Sequence, residues 1–225
     1  MRLMPRQFMR DQQGLALLEF ALVMPFLLLI FLGGAELTRF ILIAQRLDRA
    51  AYAITDVTAQ FMPATPKRES AEISETVLRT AVLPQFSRIM GVYSDETRQA
   101  IILSSVRRES GINRVKWQIA GGGSLNDGDS RSVVNGRTPA QVNPTVINTT
   151  ATFTPVAGDI AGMMEGENIV VGEMFYHYEP FLQDILSNLP QGLSIPPVTL
   201  ARRMYFVPRY ESLTCLPDNF TDASC

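Results

Sequence analysis

The sequence predicts an α+β fold in which a long N-terminal helix precedes an antiparallel β-sheet with short helices. Residues 15–35 are almost entirely apolar, and residues 36–60 continue as an amphipathic segment without Pro or Gly. Four later segments are rich in β-forming residues and are separated by stretches that contain Pro and Gly. A long helical pattern followed by several short strands is typical of α+β layering.

The first part of the N-terminal helix is predicted to cross a membrane. Residues 15–35 are interrupted only by the acid Glu19 and by Pro25. A helix needs about 20 apolar residues to span a bilayer, so this segment is long enough. Pro25 lacks a backbone donor, and we therefore expect a kink there. The same helix is predicted to extend over residues 36–62, beyond what the membrane requires.

A stripe of mostly apolar residues follows this extension at alternating spacings of three and four. Such spacing is typical of a coiled-coil contact between subunits, but it also suits a helix that covers the protein's own sheet. We expect the second arrangement to predominate, with one polar interruption at Thr58. The stripe consists of Leu37, Phe40, Ala44, Leu47, Ala51, Ile54, Thr58 and Phe61.

The predicted strands lie in the second half of the chain. Apolar Val115, Trp117 and Ile119 alternate with polar neighbours, which predicts one apolar and one polar face. Residues 121–165 are rich in Gly, Ser, Thr, Asn and Pro, and they predict a long surface excursion with a further strand near residues 145–154. The four main strands are predicted at residues 99–106, 114–120, 168–178 and 198–207.

Two short helices complete the prediction. The first covers about residues 70–83, and apolar residues after Pro84 add another turn that Gly91 ends. The second covers residues 181–189, whose apolar side chains define one face.

The acid within the apolar run points to a function. A charged side chain at the centre of a span costs about 2.5–3.5 kcal/mol, so such a residue is a functional candidate. Glu19 is the fifth residue after Gly14, Phe20 follows it, and residues 14–20 read G-L-A-L-L-E-F. This segment resembles the processing site of type IV prepilins, and the following A-L-V-M-P-F-L-L-L is similar to the TadE-like family of tight-adherence (Flp) pilus assembly proteins. The alternative is an ordinary signal anchor whose acid lies near the headgroups.

The resemblance implies a pilin-like fold and a minor pseudopilin of a type IV-like pilus secretion system, without enzymatic activity or cofactor. It implies that a prepilin peptidase cuts between Gly14 and Leu15, and that Glu19 and Phe20 take part in assembly. The implied partners are the membrane, the pilus assembly machinery and other pilin-like subunits. The resemblance extends to residues 168–225, whereas residues 61–167 match in outline only.

Charge predicts the orientation of the chain. The first ten residues contain Arg2, Arg6 and Arg10 and no acid, which favours a cytoplasmic N-terminus. We therefore expect a single-pass protein with a basic leader at residues 1–14 and an exported domain at residues 63–225, and the resemblance implies that the membrane is the bacterial inner membrane and that the domain is periplasmic. A cleavable secretory signal is the alternative, but the apolar run exceeds the usual 7–15 residues of such signals. The net charge of −2 argues against nucleic-acid binding.

The two cysteines agree with export. Cys215 and Cys225 are the only thiols, and we expect them to form a disulfide in an oxidising compartment. A zinc site is not expected, because the spacing is wrong and the single histidine, His177, is distant in sequence.

No motif for catalysis is present in the sequence. Glu173, His177 and Glu179 alternate along one predicted strand and could in principle support acid–base chemistry, but we expect a solvent-facing polar row. Asp127 and Asp129 predict a solvated turn in preference to a calcium loop. The aromatic residues Trp117, Tyr176 and Tyr178 are predicted to be core.

Two functional hypotheses of different classes follow. The first is a pseudopilin or assembly factor that acts through helix packing and protein–protein contacts. The second is a membrane-tethered periplasmic binding module that is not processed as a pilin and meets its partner through loop 121–165. An enzyme is a distant third.

Overall fold

The computed structural model describes residues 12–60, 75–142, 146–150, 163–183 and 195–208, with the backbone alone for residues 12–15 and 146–150. The chain divides into two compact units. The first combines Met1–Ile41 with Pro180–Pro196, and the second combines Leu42–Glu179 with Pro197–Cys225.

Helix α1 spans Gln12–Gln60, so the prediction of one continuous long helix is confirmed. Its 49 residues correspond to about 70 Å at about 1.5 Å per residue. The helix continues through Pro25. The predicted kink at Pro25 stays a prediction.

The second unit is built on a five-stranded antiparallel sheet, which confirms the α+β class. The order of the strands is β3-β2-β1-β4-β5, so β1 is central and β4 joins it from later in the chain. The four main strands and the further strand are all present. They are β1 Gln99–Glu109, β2 Ile112–Gly121, β3 Val146–Thr150, β4 Asn168–Tyr178 and β5 Val198–Phe206.

A two-residue turn joins β1 to β2. Ser110 and Gly111 both have positive φ, 55° and 76°, which is the type I′ geometry that matches the twist of a hairpin. The carboxylate of Glu165 accepts hydrogen bonds from both of their backbone N–H groups. A carboxylate from a distant segment therefore fixes the tip of the hairpin.

The C-terminal part of α1 packs on one face of this sheet, so the predicted role of the apolar stripe is confirmed there. Asp48 pairs with Arg202 of β5, and the ring of Tyr52 meets that of Phe206 edge to face at 5.3 Å. Leu37 at the other end of the stripe is exposed. Phe61 lies outside the described residues. The stripe residues that are buried are Leu47, Ala51, Ile54 and Thr58.

The first predicted short helix consists of several turns. Helix α2, Glu75–Val77, continues as a π-helical turn at Leu78–Val82, and helix α3 covers Gln85–Met90. A 3-10 turn at Gly91–Tyr93 ends the segment, with Gly91 at φ 59°. The second predicted short helix is described only at residues 181–183, and its remainder lies outside the described residues.

The second face of the sheet is covered by residues 122–142, which are part of the predicted surface excursion. Leu125, Val134 and Val142 of this segment are buried, the last in the short helix α4, Pro139–Val142. The reason is that this face of the sheet is apolar and needs cover. It presents Ala100, Ile102, Val106, Val171 and Phe175, all buried.

A register shift in β2 alters the predicted alternation of faces. Val115 pairs with Val106 and belongs to the core beneath residues 122–142. Trp117 instead pairs with Ser105, because β2 carries an extra residue at this point. The prediction that Val115 and Trp117 share one face is therefore wrong, whereas the predicted burial of Trp117, Tyr176 and Tyr178 is confirmed.

Candidate functional site

The residues predicted to take part in processing and assembly lie on one helix. Gly14 and Leu15 are within α1, and Glu19 follows Leu15 by four residues, which is about one helical turn. Glu19 and Phe20 are both exposed. The backbone therefore places an acid one turn beyond the predicted cleavage point.

The surface around these residues is apolar. None of the side chains from residue 16 to residue 35 is buried, although most are large and apolar. Among the residues that the structure describes, α1 is the one helix long and apolar enough to cross a membrane. An exposed apolar surface of this extent needs a non-aqueous environment or protein partners. The helix is thus consistent with a single-pass membrane anchor.

Glu36 marks the end of the apolar run. It is the first charged residue after Glu19, and its carboxylate oxygen Oε2 accepts a hydrogen bond of 3.1 Å from the backbone N–H of Phe181. Both residues belong to the first compact unit. The start of the β4–β5 connection is therefore held beside the end of the run.

A buried carboxyl group lies beneath the covering segment of the sheet. Glu173 of β4 is fully buried, and it accepts hydrogen bonds from the Ser132 hydroxyl, from the Val133 backbone N–H at 2.9 Å and from Arg203 Nε at 3.2 Å. Burial raises the pKa of Glu173 above its ordinary value, although these donors act in the opposite direction. The prediction that Glu173 belongs to a solvent-facing row is wrong, because residues 132–133 cover it.

A second set of polar contacts continues from this carboxyl group. The Gln118 side chain donates to Ser104 Oγ at 2.9 Å and to Ser132 Oγ at 3.1 Å, and it accepts from Asn135 at 2.6 Å. The sequence alone does not predict this network. The sequence does show a polar residue within each of three predicted strands, namely Ser104 in β1, Gln118 in β2 and Glu173 in β4. Only the strand order shows that these three strands are neighbours.

His177 lies near the edge of the same face with three polar neighbours. Its Nδ1 is 3.0 Å from Thr199 Oγ1 and 3.3 Å from Asp127 Oδ2, and the Thr199 hydroxyl donates to Asp127. Its Nε2 is 3.9 Å from Glu179, which also pairs with Arg98 at 2.6 Å. A hydroxyl is activated by histidine when it and the orienting carboxylate face opposite ring nitrogens. Here Glu179 is too far from Nε2 for a hydrogen bond, and the Thr199 hydroxyl already donates its proton to Asp127, so this arrangement does not activate Thr199.

Asp127 is a structural residue of this cluster. Burial raises its pKa, but hydrogen bonds from Thr199 and Ser130 and the nearby His177 outweigh that effect and lower the pKa below its ordinary value. The predicted turn is present, since the chain bends at residues 128–129 and both are exposed, whereas the Asp127 side chain is partly buried by these contacts. In the described part of the chain, no three side chains of His, Cys, Asp or Glu are grouped to hold a metal ion.

A groove of about 390 Å³ runs between α1 and the α2–α3 segment. Its walls are apolar apart from one glutamine, so it lacks the convergent polar groups that orient a small-molecule ligand. The lining residues are Ala53, Ile54, Val57, Ala81, Val82, Gln85 and Ile89.

Comparison with known proteins bears on the N-terminal helix. Residues 14–55 match the family model described as TadE-like protein, which confirms the predicted resemblance over this segment. The match begins at Gly14, includes Glu19, Phe20 and Pro25, and ends within α1. No curated protein and no solved structure shows significant similarity to the chain.

Proposed function

We propose that the protein is a membrane-anchored minor pseudopilin or assembly protein of a tight-adherence (Flp, type IV-like) pilus. It acts through helix packing and protein–protein contacts, and it carries out no catalysis. The observation that supports this most directly is that the TadE-like match coincides with an exposed apolar helix whose acid is the fifth residue after Gly14.

Processing prepares the helix for assembly. A prepilin peptidase at the cytoplasmic face cuts between Gly14 and Leu15, where the small glycine fits a protease cleft, and residues 1–14 are released. The cut leaves a charged amine on Leu15, about one turn from Glu19. The exported part of the chain, residues 63–225, then lies outside the inner membrane.

Glu19 sets the axial position of the subunit. Within one chain the carboxylate and the new amine partly neutralise each other. Between staggered subunits, Glu19 of one meets the amine of the next. The attraction of opposite charges is strong at low dielectric, and an unpaired charge there is costly. The contact therefore favours one register of neighbouring helices, and Phe20 packs beside it.

The remaining polar clusters support a structural role. Glu173 is enclosed by its donors, and the Thr199 hydroxyl beside His177 already donates to Asp127. The alternative of a tethered binding module gains no support from loop 121–165, because residues 122–142 cover the sheet.

Replacing Glu19 tests the assembly mechanism. We expect Glu19→Ala to insert into the membrane as well as the wild type, because it removes a charge from the apolar run, but not to co-purify with the pilus machinery. Glu19→Asp is expected to be intermediate, since its carboxylate reaches less far. Asp56→Ala is the matched control, because it removes an acid of the same helix outside the apolar run.

The readouts are co-purification with pilus components, the membrane-bound fraction and the number of pili. Loss of co-purification with normal membrane insertion supports the mechanism. Normal assembly by Glu19→Ala would show that the acid is incidental.

A further inference from the structure

We infer that the start of the β4–β5 connection is a second membrane contact, in which the Phe181 side chain rests in the headgroup layer of the bilayer. The occupant of this surface is lipid, at the level where the α1 span ends. The inference rests on the proposed membrane anchor. It adds Phe181 as a lipid-contacting residue, although Phe181 lies 145 positions after Glu36 in the chain.

The depth of Phe181 follows from its hydrogen bond to Glu36. Glu36 comes one residue after the predicted end of the span at Ala35, which is about 1.5 Å further along a helix. The interfacial region adds about 5–7 Å to each side of the hydrocarbon core, given a core of about 30 Å and a total of about 40–45 Å. Glu36 therefore lies within this region, and the 3.1 Å bond to its carboxylate keeps the Phe181 backbone there too.

The exposure of Phe181 fits this environment. Its side chain is 37 % exposed, and Ile195 at the other end of the described connection has the same exposure. Both residues belong to the compact unit that contains the span. Aromatic and branched apolar side chains at the membrane–water boundary gain free energy by entering the acyl boundary. A bilayer is always next to a membrane anchor, whereas a protein partner at this level would have to be recruited.

The contact limits how the anchor moves in the bilayer. The tilt and rotation of a span are set by its packing and by its interfacial anchors. Because Phe181 is hydrogen-bonded to Glu36, the side of α1 that carries Glu36 faces the β4–β5 connection at the membrane surface. The other sides of the helix remain available for contacts with other helices.

Depth-dependent fluorescence quenching tests this inference on the full chain. Single tryptophans are introduced as Phe181→Trp, Leu37→Trp and Phe26→Trp, all at exposed positions of the first unit. The sole native tryptophan, Trp117, is fully buried and gives a constant background. Each variant is reconstituted in phosphatidylcholine vesicles that carry a nitroxide either near the headgroup or near the acyl end.

We expect the shallow nitroxide to quench Phe181→Trp about as strongly as Leu37→Trp, and the deep one to quench Phe26→Trp alone. Ile112→Trp, at an exposed position of the β1–β2 hairpin, gives the baseline for chance collisions. In a Glu36→Ala background, the shallow quenching of Phe181→Trp should fall while that of Leu37→Trp stays the same.

Three results would overturn the inference. Phe181→Trp could remain at the Ile112→Trp baseline while Phe26→Trp is quenched, which leaves the anchor and the proposed function intact. Phe181→Trp could be quenched by the deep nitroxide, which would show insertion and not surface contact. Failure to quench Phe26→Trp would remove the anchor itself, and with it the proposed function.

Discussion

Glu173 shows how one buried carboxyl group organises the face of the sheet opposite α1. It accepts hydrogen bonds from residues 132 and 133 of the covering segment and from Arg203 of the neighbouring strand β5. A buried polar group without partners costs about 1–3 kcal/mol, and more when it is charged. The covering segment therefore supplies the donors that make burial of this group possible.

The pH dependence of stability tests this account of Glu173. Burial raises its folded-state pKa, so its contribution to stability is fully present below the unfolded value, near 4.5, and is lost as pH rises through the folded pKa. Glu173→Gln removes this titration. We expect the free energy of unfolding of the wild type to fall relative to that of Glu173→Gln as pH rises above about 4.5.

Urea unfolding of the full chain in detergent, followed by the fluorescence of the buried Trp117, measures this difference. Glu109→Gln is the control, because Glu109 is a partly exposed acid of the adjacent strand β1. An unchanged difference between wild type and Glu173→Gln across this pH range would contradict the raised pKa.

The environment of Glu173 was not predictable from residue types alone. A strand with Glu173, His177 and Glu179 at alternate positions has the pattern of a half-exposed strand. Whether that face meets solvent depends on a segment some 40 residues earlier in the chain. The Gly-, Ser- and Asn-rich composition of that segment predicts a loop, and it does not predict where the loop lies.

At the scale of elements, the close approach of α1 to β4 holds the second unit together. Gly172 lies opposite Thr55 of the helix, and a Cβ atom added at Gly172 would be 2.9 Å from Thr55 Cβ and in conflict with its hydroxyl. The glycine therefore lets the helix approach the central part of the sheet. Both residues lie at the contact that buries the apolar stripe of α1.

Gly172→Ala tests this contact. The added methyl group has no space unless the helix moves away, so we expect a loss of about 1–3 kcal/mol in the free energy of unfolding. Gly128→Ala is the matched control, because no atom lies within 4 Å of its added Cβ. Urea unfolding of both variants measures the effect. Equal stability of Gly172→Ala and the wild type would show that helix and sheet are not in close contact.

Elements with a strong periodic pattern were the most predictable from sequence. Helix α1 is predictable because a long apolar run continues into a stripe with spacings of three and four, and the four main strands because they are rich in β-forming residues, with clear alternation in β2. The register shift at Val115 was not found, since a bulge inserts one residue without changing composition. On α1, Glu19 and Gly14 were identified from a motif, and the packing of Thr55 on Gly172 needed the three-dimensional structure.

At the scale of the whole molecule, the proposal requires that residues 63–225 be exported. In an oxidising compartment, Cys215 and Cys225 are expected to form a disulfide that closes a C-terminal loop. Both residues lie outside the described residues, so the bond remains a prediction.

Thiol alkylation tests export and the disulfide together. We expect the non-reduced protein from the membrane fraction to label at neither cysteine, and the reduced protein to label at both. Cys215→Ser is the control, because it leaves Cys225 without its partner and open to alkylation. Complete labelling of the non-reduced wild type would rule out the disulfide, and a cytoplasmic signal from a C-terminal reporter fusion would rule out the orientation.

The central claim is that the chain is processed and assembled as a pilin-like subunit, and the N-terminus of the mature protein tests it most directly. Intact-mass measurement and N-terminal sequencing of protein from cells with an active prepilin peptidase should give Leu15 as the first residue. Replacing Gly14 by a bulky residue should leave a precursor heavier by the mass of residues 1–14. A wild-type mature protein that retains residues 1–14 under these conditions would contradict the claim and favour the unprocessed, membrane-tethered module.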